Sequence, residues 1–177
     1  FYIWCHPTVT MSIHVAIDVG SSSGKIYYGW CDGETLHFEG AHRFDEITTR
    51  QNNRLVWNID HILSEISTGL QTVESEAGNI DSLAIDTTAG DFGFVRNGKL
   101  ITDPYFFYDD SLHSMEDELL KTISRREIFE KTGHPGIPNS LYYQYYSNTE
   151  MNESTDSLVM IPQLLSSELG ADLASEE

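Results

Sequence analysis

A loop of glycine and serine residues between two apolar runs carries the side chains best suited to chemistry. Residues 16–33 read AIDVGSSSGKIYYGWCDG, so that Asp18 precedes the loop and Lys25 follows it. Backbone amides and hydroxyl groups in such a loop can bind phosphate oxygens, and a lysine adds a positive charge. Asp18 could orient Mg²⁺, directly or through water, because this ion prefers oxygen ligands and keeps much of its hydration. A serine-capped turn without a ligand explains the same residues equally well. The candidate phosphate-binding residues are Ser21, Ser22, Ser23, Gly24 and Lys25.

The spacing of this loop excludes a P-loop. Three residues separate Gly20 from Gly24 where a P-loop has four, and Lys25 is followed by Ile26 instead of a hydroxyl residue. A P-loop also opens into a helix, because the phosphates bind at the helix N-terminus. Here β-branched and aromatic residues follow, up to the glycine-containing turn CDGET, and these are typical of a strand. The sequence therefore predicts an antiparallel hairpin with Asp18 at the end of its first strand.

A second aspartate stands at the end of another apolar run. The segment AIDTTAGDF places Asp86 as AIDVGSSSG places Asp18, and Asp91 follows the second loop. In an open α/β sheet, ligands bind outside the carboxyl ends of the strands. We therefore expect Asp18 and Asp86 to face a shared cleft.

The remaining pattern predicts a mixed α/β sheet with the order β-β-β-α-β-β-α-α-α. After the first hairpin, TLHFEGAHRF alternates like a third strand, and TTRQNNRL reads as a polar loop. Apolar residues at helical spacing predict a helix that ends near Gly78, a single helix over 115–131, and a short aromatic helix in SLYYQYYSNTE. The segment LVMIPQLL predicts a strand stub that turns into a last helix, and the other strands are expected at 82–85 and 92–96, with a turn at 97–99.

Charge and composition restrict the partners. The 177 residues include 28 acidic and 10 basic side chains, for a net charge of −18, which disfavours nucleic acid and anionic membranes as partners. A salt-rich cytoplasm would screen this self-repulsion, although many acidic proteins work at ordinary salt. Cys5 and Cys31 give no disulfide framework and indicate a reducing compartment, hence a cytoplasmic location. No apolar run approaches the roughly 20 residues of a membrane helix.

The first ten residues, FYIWCHPTVT, lack the charged start and apolar core of a signal peptide. Met11 then reads as a natural start that runs directly into a strand. We therefore expect residues 1–10 to be a non-native or disordered extension, or else an extra packed segment, and residues 11–177 to form one domain.

Other groups of acidic, aromatic and histidine residues give weaker evidence for a functional site. The acids in YDDSLH are explained by a solvated surface, and the four tyrosines of LYYQYY are explained by packing more readily than by a sugar platform. The seven histidines show no zinc-site spacing, and no Gly-x-Ser-x-Gly nucleophile segment is present.

Taken in order along residues 13–175, these segments resemble the FGGY carbohydrate kinases of the actin-like ATPase group, and among them the rhamnulokinases. AIDVGSSSGK is similar to the family's Asp-x-Gly-(Ala/Ser)-Ser-Ser-Gly-(Arg/Lys) hairpin. The likeness continues through HRF, LVWNID, IDSLAIDTTAGDF, DPYFFYDDSL, IFEKTG, YYQ and LVMIPQLLSSELGADLASEE.

The resemblance implies an actin-like ATPase (ribonuclease H-like) fold, a mixed sheet flanked by helices, present as its N-terminal domain only. It implies ATP-dependent phosphorylation of a sugar hydroxyl, with a ketose as substrate and ATP and Mg²⁺ as cofactors. The residues Ser21 to Lys25 would contact the ATP phosphates, and Asp18 would serve the magnesium. Ala89 falls where rhamnulokinases have a glycine that touches the sugar, and Asp91 is kept.

Several positions depart from the family pattern. Thr88, Ala89 and Gly90 stand where the family has Trp-Gly-Val. Asp109 replaces an arginine and Gln163 an aspartate. Because pocket contacts decide between related substrates, these changes are expected to alter the choice of sugar.

In such kinases a second actin-like domain completes the nucleotide site, and an aspartate near the end of the first domain is the catalytic base. We expect both to lie beyond Glu177, so that this chain alone shows no turnover. A bare domain face would then favour self-association. The alternatives are a non-catalytic sugar- or phosphate-binding remnant of the same fold and, less favoured by the segments after the hairpin, an actin-like chaperone or filament ATPase.

Overall fold

A computed structural model describes residues 11–134, 141–146, 148 and 155–172. The expected extension, residues 1–10, lies outside the described residues. The chain divides into two compact units. Unit 1 comprises the described parts of Phe1–Ile47, Asn58–Thr88 and Pro162–Glu177, and unit 2 comprises the described parts of Thr48–Trp57 and Ala89–Ile161.

Unit 1 contains a four-stranded mixed sheet, which confirms the predicted fold class. Three strands form an antiparallel meander, and a later strand pairs in parallel with the first, giving the order β3-β2-β1-β6. A parallel pair needs a crossover connection, and a helix, α1, lies within it. The elements are β1 (Ile13–Val19), β2 (Gly24–Asp32), β3 (Thr35–Phe44), α1 (Ile59–Ala77) and β6 (Ile80–Thr87).

The core of unit 1 follows from strand and helix periodicity. Alternate residues of β1 are buried, as expected for a strand with one face against a core. Helix α1 packs its apolar stripe on β2 and β3. It approaches closely at Gly69, where an added Cβ atom would lie 2.3 Å from Cδ1 of Ile26. The helix ends as predicted at Gly78, whose φ of 89° suits glycine.

Unit 2 contains two small antiparallel sheets and short helices. One sheet pairs β4 (Thr48–Gln51) with β5 (Arg54–Trp57), and the other has the order β8-β7-β9. The other elements of unit 2 are β7 (Phe92–Arg96), β8 (Lys99–Leu100), α2 (Ser111–Leu119), α3 (Arg125–Thr132), α4 (Leu141–Tyr146) and β9 (Ser157–Met160). The last helix, α5 (Ile161–Glu168), follows β9 directly in the chain, as predicted, and belongs to unit 1 from Pro162 onward.

Two predictions about unit 2 were wrong. The single helix expected over 115–131 is two helices, because Ser124 begins α3 with extended dihedrals and accepts a hydrogen bond from the amide of Glu127. A serine that accepts a hydrogen bond from the amide three residues later is a helix N-cap. The polar loop expected at TTRQNNRL is the hairpin β4–β5, whose turn residues Asn52 and Asn53 have φ of 49° and 64°. Asparagine tolerates this left-handed conformation, which two-residue hairpin turns require.

The cysteine prediction also needs correction. Cys31, in β2, is disulfide-bonded, whereas the sequence predicted no disulfide framework. Cys5 lies outside the described residues. As for membrane insertion, none of the described helices combines the length and the apolar character that a bilayer crossing requires.

Candidate active site

The Ser/Gly loop joins two antiparallel strands, as predicted. The loop is closed by a hydrogen bond from the amide of Gly20 to the carbonyl of Ser23, with a donor–acceptor distance of 3.0 Å. Ser21 and Ser22 are exposed, whereas Ser23 is buried. Lys25 lies in strand β2 and not in a helix, so the structure confirms that this is not a P-loop. The loop therefore offers two exposed serines next to a strand lysine.

A row of four charged residues crosses the sheet of unit 1 at this loop. Asp86 in β6 is aligned with Asp18 in β1, Asp18 opposes Lys25 in β2, and Lys25 opposes Arg43 in β3. Residues directly paired in neighbouring strands present their side chains on the same face of a sheet. The row thus has two acids at one end and two bases at the other, and its members come from four separate strands.

Only one pair in this row is in direct ionic contact. The Nζ atom of Lys25 lies 3.8 Å from Oδ2 of Asp18, and the two side chains are 37% and 50% exposed. At this distance and exposure the pair contributes little to stability, so both groups remain available to a ligand. Asp18 and Asp86 are aligned in the parallel pair of β1 and β6 and therefore face the same side of the sheet. That they line one cleft stays a prediction.

These residues do not form a preformed metal site made of protein ligands alone. They suit a magnesium ion that is bound mainly by water and by the phosphate oxygens of a ligand. Among the described residues, no group of three or more His, Cys, Asp or Glu side chains is arranged to hold a metal. A single exposed carboxylate suits Mg²⁺, which usually takes one or two protein carboxylates and completes its shell with water and phosphate oxygens. Asp18 supplies such a carboxylate beside the loop.

Gly24 has a packing role that the sequence did not predict. An added Cβ atom there would lie 2.0 Å from Cζ of Phe44, so the phenyl ring of Phe44 occupies the space that any other side chain would need. Both residues are buried and are paired across β2 and β3. Any other residue at the base of the loop would have to displace the Phe44 ring, so this glycine has a packing role whether or not phosphate binds there.

In unit 2, Asp91 is fully buried and accepts three hydrogen bonds. Its Oδ2 accepts from the indole N–H of Trp57 at 2.7 Å and from the amide of Phe107 at 3.1 Å. Its Oδ1 accepts from the side-chain amide of Gln144 at 2.6 Å. Burial raises the pKa of Asp91 to about 6, against the lowering effect of these three donors. The carboxylate therefore organises the interior of unit 2.

The two predicted sugar-binding residues differ in their surroundings. Ala89 is exposed and lies in a turn with Gly90, whose φ is 106°, whereas Asp91 has no exposed surface. The hydroxyl of Thr88, in unit 1, is buried without a hydrogen-bond partner among the described residues. The assignment of Ala89 and Asp91 to a sugar stays a prediction.

Asp109, which stands where the family has arginine, holds the start of α2. It is almost fully buried and accepts hydrogen bonds from the backbone amides of Leu55 and Ser111 and from the Ser111 hydroxyl. Burial alone would raise the pKa of Asp109, but these bonds and the nearby Arg54 charge outweigh it and hold that pKa below its ordinary value. The departure from the family pattern is therefore built into the packing of unit 2.

Sequence reasoning did not identify Trp57, Gln144 and Arg43 as members of these sites. Trp57 and Gln144 are 34 and 53 residues from Asp91, and Arg43 is opposite Lys25 only because of the β2–β3 register. The available signal was their presence in the segments LVWNID, YYQ and HRF, through which the resemblance runs.

Solved structures with a similar fold include sugar kinases. A gluconate kinase from Lactobacillus acidophilus matches 88% of this chain with a TM-score of 0.68 and 15% identity, and this chain covers 32% of it. A xylulose kinase from the same organism matches 92% of the chain with a TM-score of 0.64 and 15% identity, with 34% of its own length covered. The fold is therefore that of the sugar kinases of the actin-like ATPase group.

Within that class, the sequence relatives include rhamnulokinases, and the predicted resemblance is confirmed. The rhamnulokinase of Ligilactobacillus salivarius is 33% identical over 157 residues, covering 88% of this chain and 32% of the relative. That of Lactiplantibacillus plantarum is 30% identical over 168 residues, covering 94% and 34%. The chain spans about a third of the length of these curated relatives. No protein-family model matches it.

Proposed function

We propose that this chain is the ATP-phosphate-binding part of a rhamnulokinase-like carbohydrate kinase, which phosphorylates a hydroxyl of a ketose. The observation that carries the proposal is the position of Asp18 and Lys25, opposed across the Ser/Gly hairpin of a chain homologous to rhamnulokinases. The exposed Ser21 and Ser22 would donate hydrogen bonds to terminal phosphate oxygens, and Lys25 would add a positive charge.

The chemistry assigned to these residues is binding and orientation. Phosphoryl transfer depends on holding the phosphate in line with its acceptor and on neutralising the charge that develops. Lys25 contributes part of this neutralisation, and Mg²⁺, when bound, contributes the rest. Asp18 would hold that ion through its exposed carboxylate. Ala89 and Asp91 stay assigned to the sugar, and the catalytic base and second domain stay assigned to the part of the kinase beyond Glu177.

Titration calorimetry of the 177-residue protein with MgATP tests the proposal. We expect binding that weakens about fivefold to tenfold in Lys25→Gln, because a charge-assisted contact with phosphate is lost. Arg50→Gln is the matched control, since Arg50 is an exposed strand residue and the change also removes one positive charge. Wild-type protein that binds no MgATP, or a Lys25→Gln protein that binds as tightly as wild type, would contradict the proposal. Turnover of a ketose by the 177 residues alone would contradict the assignment of the base.

A non-catalytic phosphate- or sugar-binding protein is the second candidate. It is favoured by the departures at Thr88, Ala89 and Asp109, of which Asp109 is tied into backbone hydrogen bonds. The same calorimetry separates the two, with a panel of ketoses that includes rhamnulose and xylulose added. A kinase site is expected to prefer MgATP to inorganic phosphate by about tenfold or more, since the nucleotide offers more contacts. Equal affinity for both would favour the second candidate.

The cellular setting is also a proposal. We infer that the protein tolerates high salt, because salt screens the repulsion within its net charge of −18. A cytoplasmic location stays a prediction. The disulfide at Cys31 is the observation against a reducing compartment. Titration of free thiols in unfolded protein from the native host tests whether this disulfide is present.

Light scattering at low and high KCl tests the proposed self-association through exposed apolar side chains such as Phe38, which is 69% exposed.

A further inference from the structure

Beside the hairpin, β2 and β3 form an open pocket that the predicted phosphate-binding residues do not account for. Its volume is about 290 Å³, and the residues lining it are Lys25, Tyr27, Gly40, Ala41, His42 and Arg43. The pocket shares Lys25 with the hairpin and extends from it along β3. It therefore adjoins the proposed phosphate site within unit 1.

Two positive charges stand opposite each other at this pocket. Lys25 and Arg43 are paired across β2 and β3, although the chain has only 10 basic residues against 28 acidic ones. Like charges directly opposed across a strand pair destabilise a sheet. Asp18 lies 3.8 Å from Lys25, but in the part of the chain that the structure describes no acidic side chain forms an ion pair with the exposed Arg43. An anion between the two bases would remove this repulsion.

The strand geometry shapes the rest of the pocket. The β2–β3 register shifts between Ile26 and Tyr27, so that Ile26 pairs with His42 and Tyr27 with Gly40, and Ala41 is the extra residue of a β-bulge. Bulges redirect side chains and are frequent beside active sites. The ring of Tyr27 lies 3.5 Å from the position of a Cβ atom at Gly40 and is 39% exposed. The pocket thus combines two cations with an aromatic wall.

We propose that Arg43 is a phosphate-binding residue, and that the Lys25–Arg43 pair binds the polyphosphate chain of a nucleotide in this pocket. The inference rests on the proposed function, because Lys25 belongs to both sites. The guanidinium of Arg43 presents several donors in a plane and suits phosphate oxygens. Tyr27 presents its exposed ring to the part of the ligand that follows the phosphates. Arg43 is thereby a binding residue that the loop sequence does not include.

The test is calorimetric binding of sodium tripolyphosphate, which has no base or sugar, to the full 177-residue chain. We expect Arg43→Gln to weaken binding about fivefold to tenfold and Arg43→Lys to weaken it less. Arg50→Gln, which removes one positive charge outside this pocket, is expected to leave the affinity unchanged. If Lys25→Gln weakens binding and Arg43→Gln does not, the hairpin function stands and this inference is overturned. If wild-type protein binds no tripolyphosphate, both fail.

A second readout separates a binding role from a structural one. At low salt without an anion, Arg43→Gln is expected to unfold at the same temperature as wild type or a higher one, because the repulsion with Lys25 is removed. Tripolyphosphate is expected to raise the melting temperature of wild type more than that of Arg43→Gln. A lower melting temperature for Arg43→Gln without anion, combined with equal stabilisation by tripolyphosphate, would make Arg43 structural and overturn the inference.

Discussion

Replacement of Asp91 by asparagine should change how the stability of the protein depends on pH. Asp91 is fully buried, and burial raises its pKa from 3.8 to about 6. A carboxyl group with a raised pKa in the folded state binds its proton more tightly there than in the unfolded chain. Its contribution to stability is therefore fully present below pH 3.8, falls as the pH rises towards 6, and is constant above that.

The magnitude follows from the pKa values. At about 1.36 kcal/mol for each pKa unit, the rise from 3.8 to about 6 corresponds to about 3 kcal/mol of unfolding free energy. Asparagine does not titrate, and it keeps an acceptor for Trp57 and Phe107. Its amide would face Gln144, whose own amide can rotate to present oxygen. We therefore expect the unfolding free energy of Asp91→Asn, relative to wild type, to rise by about 2–3 kcal/mol between pH 4 and pH 7.

Urea unfolding of both proteins at half-unit pH steps measures this difference. Asp32→Asn removes one exposed acid from the same chain and is the control for the change in net charge. Asp91→Ala is a further comparison, because it leaves two buried donors and one half-buried donor without an acceptor and should cost about 3–5 kcal/mol at pH 7. A difference between Asp91→Asn and wild type that stays constant from pH 4 to pH 7 would refute the reasoning.

Three further substitutions test the packing of the two units by urea unfolding. Gly24→Ala should destabilise the protein by about 1–3 kcal/mol, because the new Cβ atom would lie 2.0 Å from the ring of Phe44; unchanged stability would show that the ring moves freely. Gly69→Ala should cost about 1 kcal/mol although alanine favours helices, because its Cβ atom would lie 2.3 Å from Ile26; a more stable variant would contradict this close packing. Asp109→Asn should cost about 1–3 kcal/mol at pH 7, and because the pKa of Asp109 is lowered, this cost should shrink as the pH falls below the ordinary aspartate value; a cost independent of pH would refute it.

The sequence was sufficient for the elements whose signal is local. The meander β1–β2–β3 follows from alternation and from turn residues, and α1 follows from apolar spacing and Gly78. The helix expected over 115–131 failed because apolar spacing continues across the break that Ser124 creates. The hairpin β4–β5 was missed because its asparagine turn reads as a polar loop until the φ values are known.

The candidate site was predictable from the sequence only where its residues lie in one continuous segment. Asp18 and Lys25 were found because their chemistry is carried by one continuous loop. Arg43 was not found, since its position opposite Lys25 depends on the register of β2 and β3 and on the bulge at Ala41. The three donors to Asp91 were also missed, because they come from separate segments of the chain.

The parallel pairing of β1 with β6 has a consequence for how unit 1 forms. His14 and Ser82 are 68 residues apart, whereas β1, β2 and β3 follow one another along the chain. Joining distant segments costs loop-closure entropy before any contact compensates for it, so sheets with non-local pairs fold more slowly than local hairpins. The meander can therefore assemble first, with β6 added last, and in pulse-labelling hydrogen exchange the amides of β6 should gain protection after those of β2.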